Sequence, residues 1–272
     1  MQKFTSSPAG MLMGFWSHRN LLMALARREV VGRYRGSFMG ILWSFIHPVF
    51  MLAVYTFVFS VIFRARWGGG SEGREEFALV LFAGLLVFNV FSECVTQAPG
   101  LILSNVNYVK KVVFPLEILP GVTLVSALFH CGISFVVWLV ADVLLFGVPP
   151  VTVLLFPLVL LPLCLFVMGL SWLLASLGVY VRDLAQFIGL ATSVLMFLTP
   201  IFYPATALPE AYRAFLFLNP LTPVIEQARD VLCWGKGLDG AEYALTLCAS
   251  ALFAWAGFAW FQKTRKGFAD VL

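Results

Sequence analysis

Long apolar runs alternate along this chain with short basic or proline-bearing segments. Six of the runs read as transmembrane helices: Leu42–Phe63, Phe77–Gln97, Glu117–Phe146, Val151–Val179, Leu184–Thr199 and Tyr243–Gln262. The third follows a break at Pro115, and Pro157 and Pro162 are expected to bend or break the fourth. The fold class this predicts is an all-α integral membrane protein with a single transmembrane domain over residues 1–272. No internal repeat and no large soluble domain interrupts it. Ahead of the first run, His18–Gly36 is basic and helical in pattern. Leu21, Leu22 and Leu25 group together, but Arg19, Arg27, Arg28, Arg33 and Arg35 are spread around the helix. Segment 18–41 is therefore expected as an N-terminal amphipathic helix without a clean apolar face. A surface helix on anionic lipid and a solvated topogenic charge cluster both fit it.

One apolar stretch does not fit a simple span. Phe197–Trp234 carries Pro200, Pro204, Pro209, Pro220 and Pro223. Each removes a backbone donor and disfavours helix at the preceding residue. Hydrocarbon offers no partner for the freed groups, so such backbone must be covered by protein or line a cavity. The expectation is a re-entrant region over 200–234, with short helices near Pro209–Leu218 and Thr222–Trp234. Neither reaches the roughly 20 residues a span needs. The second also carries Glu226, Arg229 and Asp230, and Glu226 can pair with Arg229 at i+3. Broken apolar segments of this kind mark transport machinery more often than membrane enzymes or anchors.

Composition excludes a soluble domain: 61% of the residues are hydrophobic and 12% charged, about half the usual charge. The placement of the charge says more than its +4 total. Counting loops, twelve Lys/Arg fall on the side that holds residues 1–41, the 98–116 loop, Arg182 and the tail from Lys263. Six fall on the other, with Glu72, Glu75, Glu76, Glu210, Glu226, Asp230, Asp239 and Glu242. The positive-inside rule therefore puts both termini in the cytoplasm. Only Lys3 precedes the short apolar run Met11–Trp16, so no cleavable signal peptide is expected. The five cysteines are odd in number and lack a C-x-x-C, which reads as small buried hydrophobes and not as disulfides or a metal site. Cys233 is expected on the outer side, and nothing suggests a nucleic-acid partner.

Candidate chemistry is sparse. No H-E-x-x-H occurs, and the three histidines are His18, His47 and His130. Ser134 follows His130 by one turn, a spacing that ordinary packing explains as well as catalysis does. No G-x-x-x-x-G-K-[ST] loop occurs, so a nucleotide that drives transport must bind another polypeptide. Two stripes stand out. Asn89, Glu93 and Gln97 put a polar face on the second span, either lining water or solvating an interface. Tyr55, Phe59 and Phe63 put an aromatic face on the first, either lining a sugar conduit or packing.

Three segments together resemble a known family. RYRGSFMGILWSFIHPVFMLAVYTFVFSVIFR (Arg33–Arg64), SNVNYVKKVVFP (Ser104–Pro115) and the set Tyr180-Val181-Arg182-Asp183, Thr199-Pro200-Ile201-Phe202-Tyr203-Pro204, Leu218-Asn219-Pro220 look like ABC-2 type permeases. The exporters of bacterial surface polysaccharides (O-antigen, capsule, teichoic acid) are the branch they resemble most. That resemblance implies a homodimer with a separate nucleotide-binding ATPase subunit, which would hold the ATP and Mg; this chain would hold no cofactor or metal and catalyse nothing. It implies a polyprenyl diphosphate-linked polysaccharide as cargo, and the bacterial inner membrane as location. It implies ATPase coupling through Ser104 (as a helix N-cap), Tyr108, Lys110, Lys111, Arg182 and Asp183. Arg33 and Arg35 become candidates for the lipid head group, with topogenic anchoring as the other reading. Tyr55, Phe59, Phe63, Asn89 and Glu93 become channel-lining candidates, and Pro200, Tyr203 and Arg229 outer-gate candidates. An exporter of drugs or lipids on the same fold is the alternative, and a polytopic membrane transferase or hydrolase is the alternative from another class.

Overall fold

A computed structural model describes residues 7–62, 74–110, 114–207, 209, 216 and 218–272. Among them every regular element is helical. Helix α1 (Pro8–Ser17) starts where the Ser7 hydroxyl accepts from the Gly10 amide at 3.1 Å, with proline in the first turn, where its missing N–H costs nothing. Helix α2 (Arg19–Tyr34) buries Leu22, Ala26 and Val30. Leu22 and Ala26 of this one-residue-per-turn seam pack on Ile118 and Val122, which leaves the rest of the helix free to carry arginine. A tight turn at Gly40–Leu42 leads into α3 (Trp43–Tyr55), which keeps Pro48 inside it. The chain then widens into π-helical turns over Thr56–Ile62, so the first span is not the uniform α-helix expected.

The remaining helices are α4 (Arg74–Gln97), α5 (Val106–Lys110), α6 (Leu119–Phe146), α7 (Phe156–Tyr180), α8 (Leu184–Leu198), α9 (Leu221–Leu232), α10 (Gly240–Thr264) and α11 (Phe268–Val271). The break expected in the fourth span falls at Pro157, where a 3-10 helix over Val151–Leu155 gives way to α7, and not at Pro162. Pro157 sits in the first turn of α7, where no amide partner is needed, and the helix runs continuously through Pro162. Among the described residues, five helical segments are long and apolar enough to cross a membrane: Gly40–Phe59, Glu76–Gly100, Leu116–Phe146, Val151–Tyr180 and Gly240–Val271. The fifth predicted run differs. Its helix has 15 residues, about 22 Å of rise against a hydrocarbon core of about 30 Å. Of the re-entrant pair, the second helix is present as Leu221–Leu232; the first, Pro209–Leu218, lies largely outside the described residues, as do Phe63 and Lys111.

α4 is the centre of the bundle. In its apolar window 83% of residues are buried, against 11% for Gly40–Phe59. It runs antiparallel to α6, where Trp138 Nε1 donates to the Leu79 carbonyl at 3.0 Å. α7 and α10 run side by side in one direction. Tyr243 donates to Leu158 O (3.1 Å) near their starts, and Ser176 meets Thr264 (2.8 Å) near their ends. Between these points the backbones nearly touch: a Cβ on Gly257 would lie 2.2 Å from the Gly169 carbonyl oxygen. Small residues at such crossings replace hydrophobic drive with close packing in a membrane.

Candidate functional site

Three arrangements use the polar residues of this otherwise apolar bundle. The first is a cavity of about 540 Å³ between α2, α3, α4 and α6. Its charged corner joins three helices. The Arg33 guanidinium donates to Glu93 Oε1 at 2.5 Å, and His130 Nδ1 stands 3.1 and 3.2 Å from the two Glu93 oxygens. A proton on Nδ1 makes that second contact a hydrogen bond and fixes the imidazole against the carboxylate. His130 Nε2 is buried with no hydrogen-bond partner, and so is Glu29 Oε1 one turn before Arg33. Burial pushes the Glu29 carboxyl above its usual value, with nearby Arg33 opposing it. Asn89, Gln97 and Ser134 also line the cavity. Among the described residues Ser134 has no hydrogen bond to His130, so the base and nucleophile contact of a hydrolase is missing.

The second arrangement lies at the opposite end of the bundle. Arg229, on α9, has a fully buried side chain. Its Nη1 donates to Pro200 O at 2.6 Å, Nη2 to Ile201 O at 2.8 Å and Nε to Val80 O at 3.3 Å. Glu226, one turn away, balances the charge at 3.0 Å. The planar five-donor fork suits this task, since it satisfies carbonyls that the proline-rich turn cannot pair within itself. Beside it Asn219 Nδ2 donates to Thr199 Oγ1 at 2.8 Å, while its Oδ1 accepts from Leu221 N at 3.0 Å. The T-P and N-P sequences are thus bonded to each other. Tyr203 is half-buried and its hydroxyl reaches the Phe197 and Leu198 carbonyls, at 3.3 and 3.4 Å. Cys233, just after α9, is half-buried.

The third arrangement gathers the other helix ends. Tyr108 of α5 stacks on Phe114 with ring centres 4.3 Å apart, and Arg28 of α2 donates to its hydroxyl at 3.2 Å. The Lys110 ammonium donates to the main-chain oxygen of Leu272. Arg265 pairs with Glu117 at 2.6 Å, the two side chains 10% and 15% exposed, and also reaches Phe114 O at 3.4 Å. Ser104 is not a cap. Its hydroxyl donates backwards to Gly100 O at 2.9 Å, inside a turn that precedes α5. Arg182 and Asp183 form the exposed turn between α7 and α8.

Comparison with known proteins fits this architecture to a family. The sequence model of the ABC-2 type transporter matches residues 20–233. The chain belongs to the ABC-2 type transporter family. An O-antigen export system permease protein RfbA of Myxococcus xanthus is 31% identical over 94% of this chain and 96% of its own length. One of the same description from Klebsiella pneumoniae is 26% identical, over 93% and 95%. The polysialic acid transport protein KpsM of Escherichia coli is 23% identical, over 84% and 87%.

Within this ABC-2 chain the sequence-derived candidates separate. Arg33 is engaged by Glu93, whereas Arg35 is exposed at the end of α2. Asn89 is the exposed residue of an otherwise buried stretch of α4 and joins Glu93 in the cavity wall. Tyr55 and Phe59 pack on the core; Phe59 stands 5.4 Å from Phe77 and 6.0 Å from Phe202. Sequence reading named His130 but missed its pairing with Glu93, and missed the Glu117–Arg265 pair. No local spacing announces partners 37 or 148 positions apart. The available signal was their cost: an ionisable residue inside an apolar run needs a partner of opposite charge.

Proposed function

We propose that this protein is the membrane-spanning subunit of an ATP-driven exporter that moves lipid-linked polysaccharide across the bacterial inner membrane. The observation that carries this reading is similarity, over nearly the whole chain, to permeases named for O-antigen export. In the proposed assembly two copies of the chain pair with a separate ATPase subunit, which holds ATP and Mg. Six passes put both termini in the cytoplasm, α8 and the turn after it making the fifth. Residues 104–115 and the Arg182–Asp183 turn face the ATPase. The exposed Arg35 meets the diphosphate head group at the lipid surface, where positive charge is needed. The proline-rich region dips into the outer leaflet, its carbonyls held by Arg229.

Support for the cytoplasmic role of 104–115 comes from how that segment is tied down. Arg28 and the main-chain oxygen of Leu272 both bond to it, so a push on it moves α2 and the tail together. The test is deletion of the gene followed by complementation. Loss of surface polysaccharide, its return with the intact gene, and copurification of an ATPase with the tagged chain are the expected results. Unchanged surface polysaccharide in the deletion strain would sink the reading. Reversal of Lys110 and Lys111 together, with bulky residues at Tyr108 and Val109, is expected to lower export; full export would remove this segment from the coupling.

A further inference from the structure

We propose that the cavity bounded by α2, α3, α4 and α6 is a carbohydrate subsite that takes neutral sugar units of the exported glycan. The inference rests on the polysaccharide reading above and names the part of the cargo this site holds. Its first ground is unspent hydrogen-bonding capacity in the cavity wall. Asn89, Gln97 and His47 all line the cavity, and among the described residues none of them has a hydrogen bond within the chain. His130 Nε2 is buried and unpartnered at the same wall. The buried nitrogen costs free energy unless something fills its valence, while exposed Asn89 and His47 and half-buried Gln97 present free amide and imidazole groups beside it. A sugar hydroxyl both donates and accepts, so it satisfies amide, imidazole and carboxylate neighbours alike.

The second ground is charge. Arg33 is held by Glu93 at 2.5 Å, and His130 leans on the same carboxylate. The guanidinium is therefore already neutralised, and a diphosphate would face Glu93 across the cavity. Burial also favours the uncharged form of Glu29, just outside it. A ligand without charge meets no such penalty. The third ground is shape. About 540 Å³ falls within the usual range of small-molecule sites, about 300–1,000 Å³. Trp43 and Tyr34 contribute to its wall, offering aromatic faces for the C–H side of a pyranose ring. Two larger cavities, of about 900 and 920 Å³, have mostly apolar walls and suit lipid chains instead.

The test places a benzoylphenylalanine at position 89 and, as control, at position 136. Val136 is exposed on the helix that carries His130 but lies outside the cavity wall. The complete transporter, with its ATPase subunit made hydrolysis-deficient, is irradiated in cells whose glycan carries a tritiated sugar. Carbohydrate label on the position-89 protein and none on the position-136 protein is the expected result. Equal label at both, phospholipid in place of sugar, or no adduct, as a merely water-filled cavity would give, overturns the subsite. In parallel, Asn89→Leu is expected to lower surface glycan about tenfold, as loss of one hydrogen bond of about 1.4 kcal/mol gives. Asn89→Gln retains export, and both variants keep their abundance and their ATPase. Full export by Asn89→Leu overturns the proposal while leaving the export reading intact; polysaccharide display that survives deletion of the gene instead removes the export reading.

Discussion

Replacing Arg229 by alanine removes the donors of at least three buried carbonyls at once: Pro200, Ile201 and Val80. Each buried acceptor left alone costs about 1–3 kcal/mol. The gross loss is therefore about 3–9 kcal/mol, before any water enters the space vacated. Glu226 adds little, because its side chain is 40% exposed and can turn to solvent. A loss of about 3–6 kcal/mol, after partial hydration, is a large part of the total stability of a native protein, about 5–15 kcal/mol. At about 2 °C per kcal/mol for a large chain, the midpoint of thermal unfolding falls by at least about 6 °C. Arg229→Lys keeps the charge, but a single ammonium cannot span the three carbonyls, so about half the effect is expected. The assay is thermal unfolding of detergent-purified protein followed by a thiol-reactive dye, since the native cysteines include two buried ones, Cys94 and Cys131. An Arg229→Ala protein that unfolds within about 2 °C of the parent would refute the clamp, because by the same scale the carbonyls would then have cost under about 1 kcal/mol.

Three other outcomes follow from separate parts of the molecule. Gly257→Val is expected to destabilise the α7–α10 pair more than Gly240→Val, because a Cβ at 257 would sit 2.2 Å from the Gly169 oxygen while none of its neighbours approaches Gly240; equal melting of the two proteins would show that the helices part without cost. For topology, a cysteine at exposed Gly237 is a better reporter than half-buried Cys233. In a background free of native cysteines, an impermeant maleimide should label position 237 on intact spheroplasts and position 182 only after lysis; the reverse pattern refutes the orientation. Glu29 carries a raised carboxyl value caused first by burial. The folded state therefore prefers its neutral form, and the cost of ionising it appears as pH rises past the ordinary carboxylate range. Glu29→Gln should stabilise the protein at neutral pH, with the gain disappearing as pH falls toward about 4; a gain constant from pH 4 to 8 would contradict this assignment.

How much of this was legible in the chain depended on whether the cause was local. Runs of apolar residues are a local property, and all six appear as helical segments near their expected limits, the first ending in π-helical turns and the fourth opening in a 3-10 helix. Glu226 and Arg229 were legible as an i,i+3 pair because both lie on one helix. The other partners of Arg229 were not, since the Pro200 and Ile201 carbonyls come from 29 and 28 positions away. A cue existed all the same: a proline-broken backbone in an apolar setting must find donors, and Arg229 was the donor-rich side chain nearby. Pro162 misled because a helix can absorb one proline where neighbours restore the packing. α2 hid its seam because the buried stripe holds only one residue per turn, with small Ala26 in the middle. Ser104 fitted a capping pattern, but its hydroxyl had a nearer acceptor in Gly100 O, one turn behind it.

The turn at 98–100 and residues 114–118 are fastened to much of the bundle. Gly178 lies against Pro99 so closely that a Cβ there would be 2.1 Å from the proline carbonyl oxygen. The turn at 98–100 therefore cannot slide along α7 without a collision. Arg265 fastens Glu117 to the end of α10, and Trp172 Nε1 fastens the Glu117 carbonyl to α7 at 3.0 Å. Tyr180 reaches the Thr264 carbonyl at 3.3 Å, which ties the ends of those two helices to one another. α7 and α10 are in turn locked by the Gly169–Gly257 contact, and α4, which ends at the same turn, carries Val80 to the Arg229 clamp. Close-packed contacts of this sort transmit displacement because interiors resist compression. The turn at 98–100 and the Arg229 carbonyl clamp are thus joined through α4 directly and through α7 with α10. Phe59, in the π-helical turns of 56–62, packs on Phe77 of α4 and on Phe202, while Gly40–Phe59 is the least buried of the long segments.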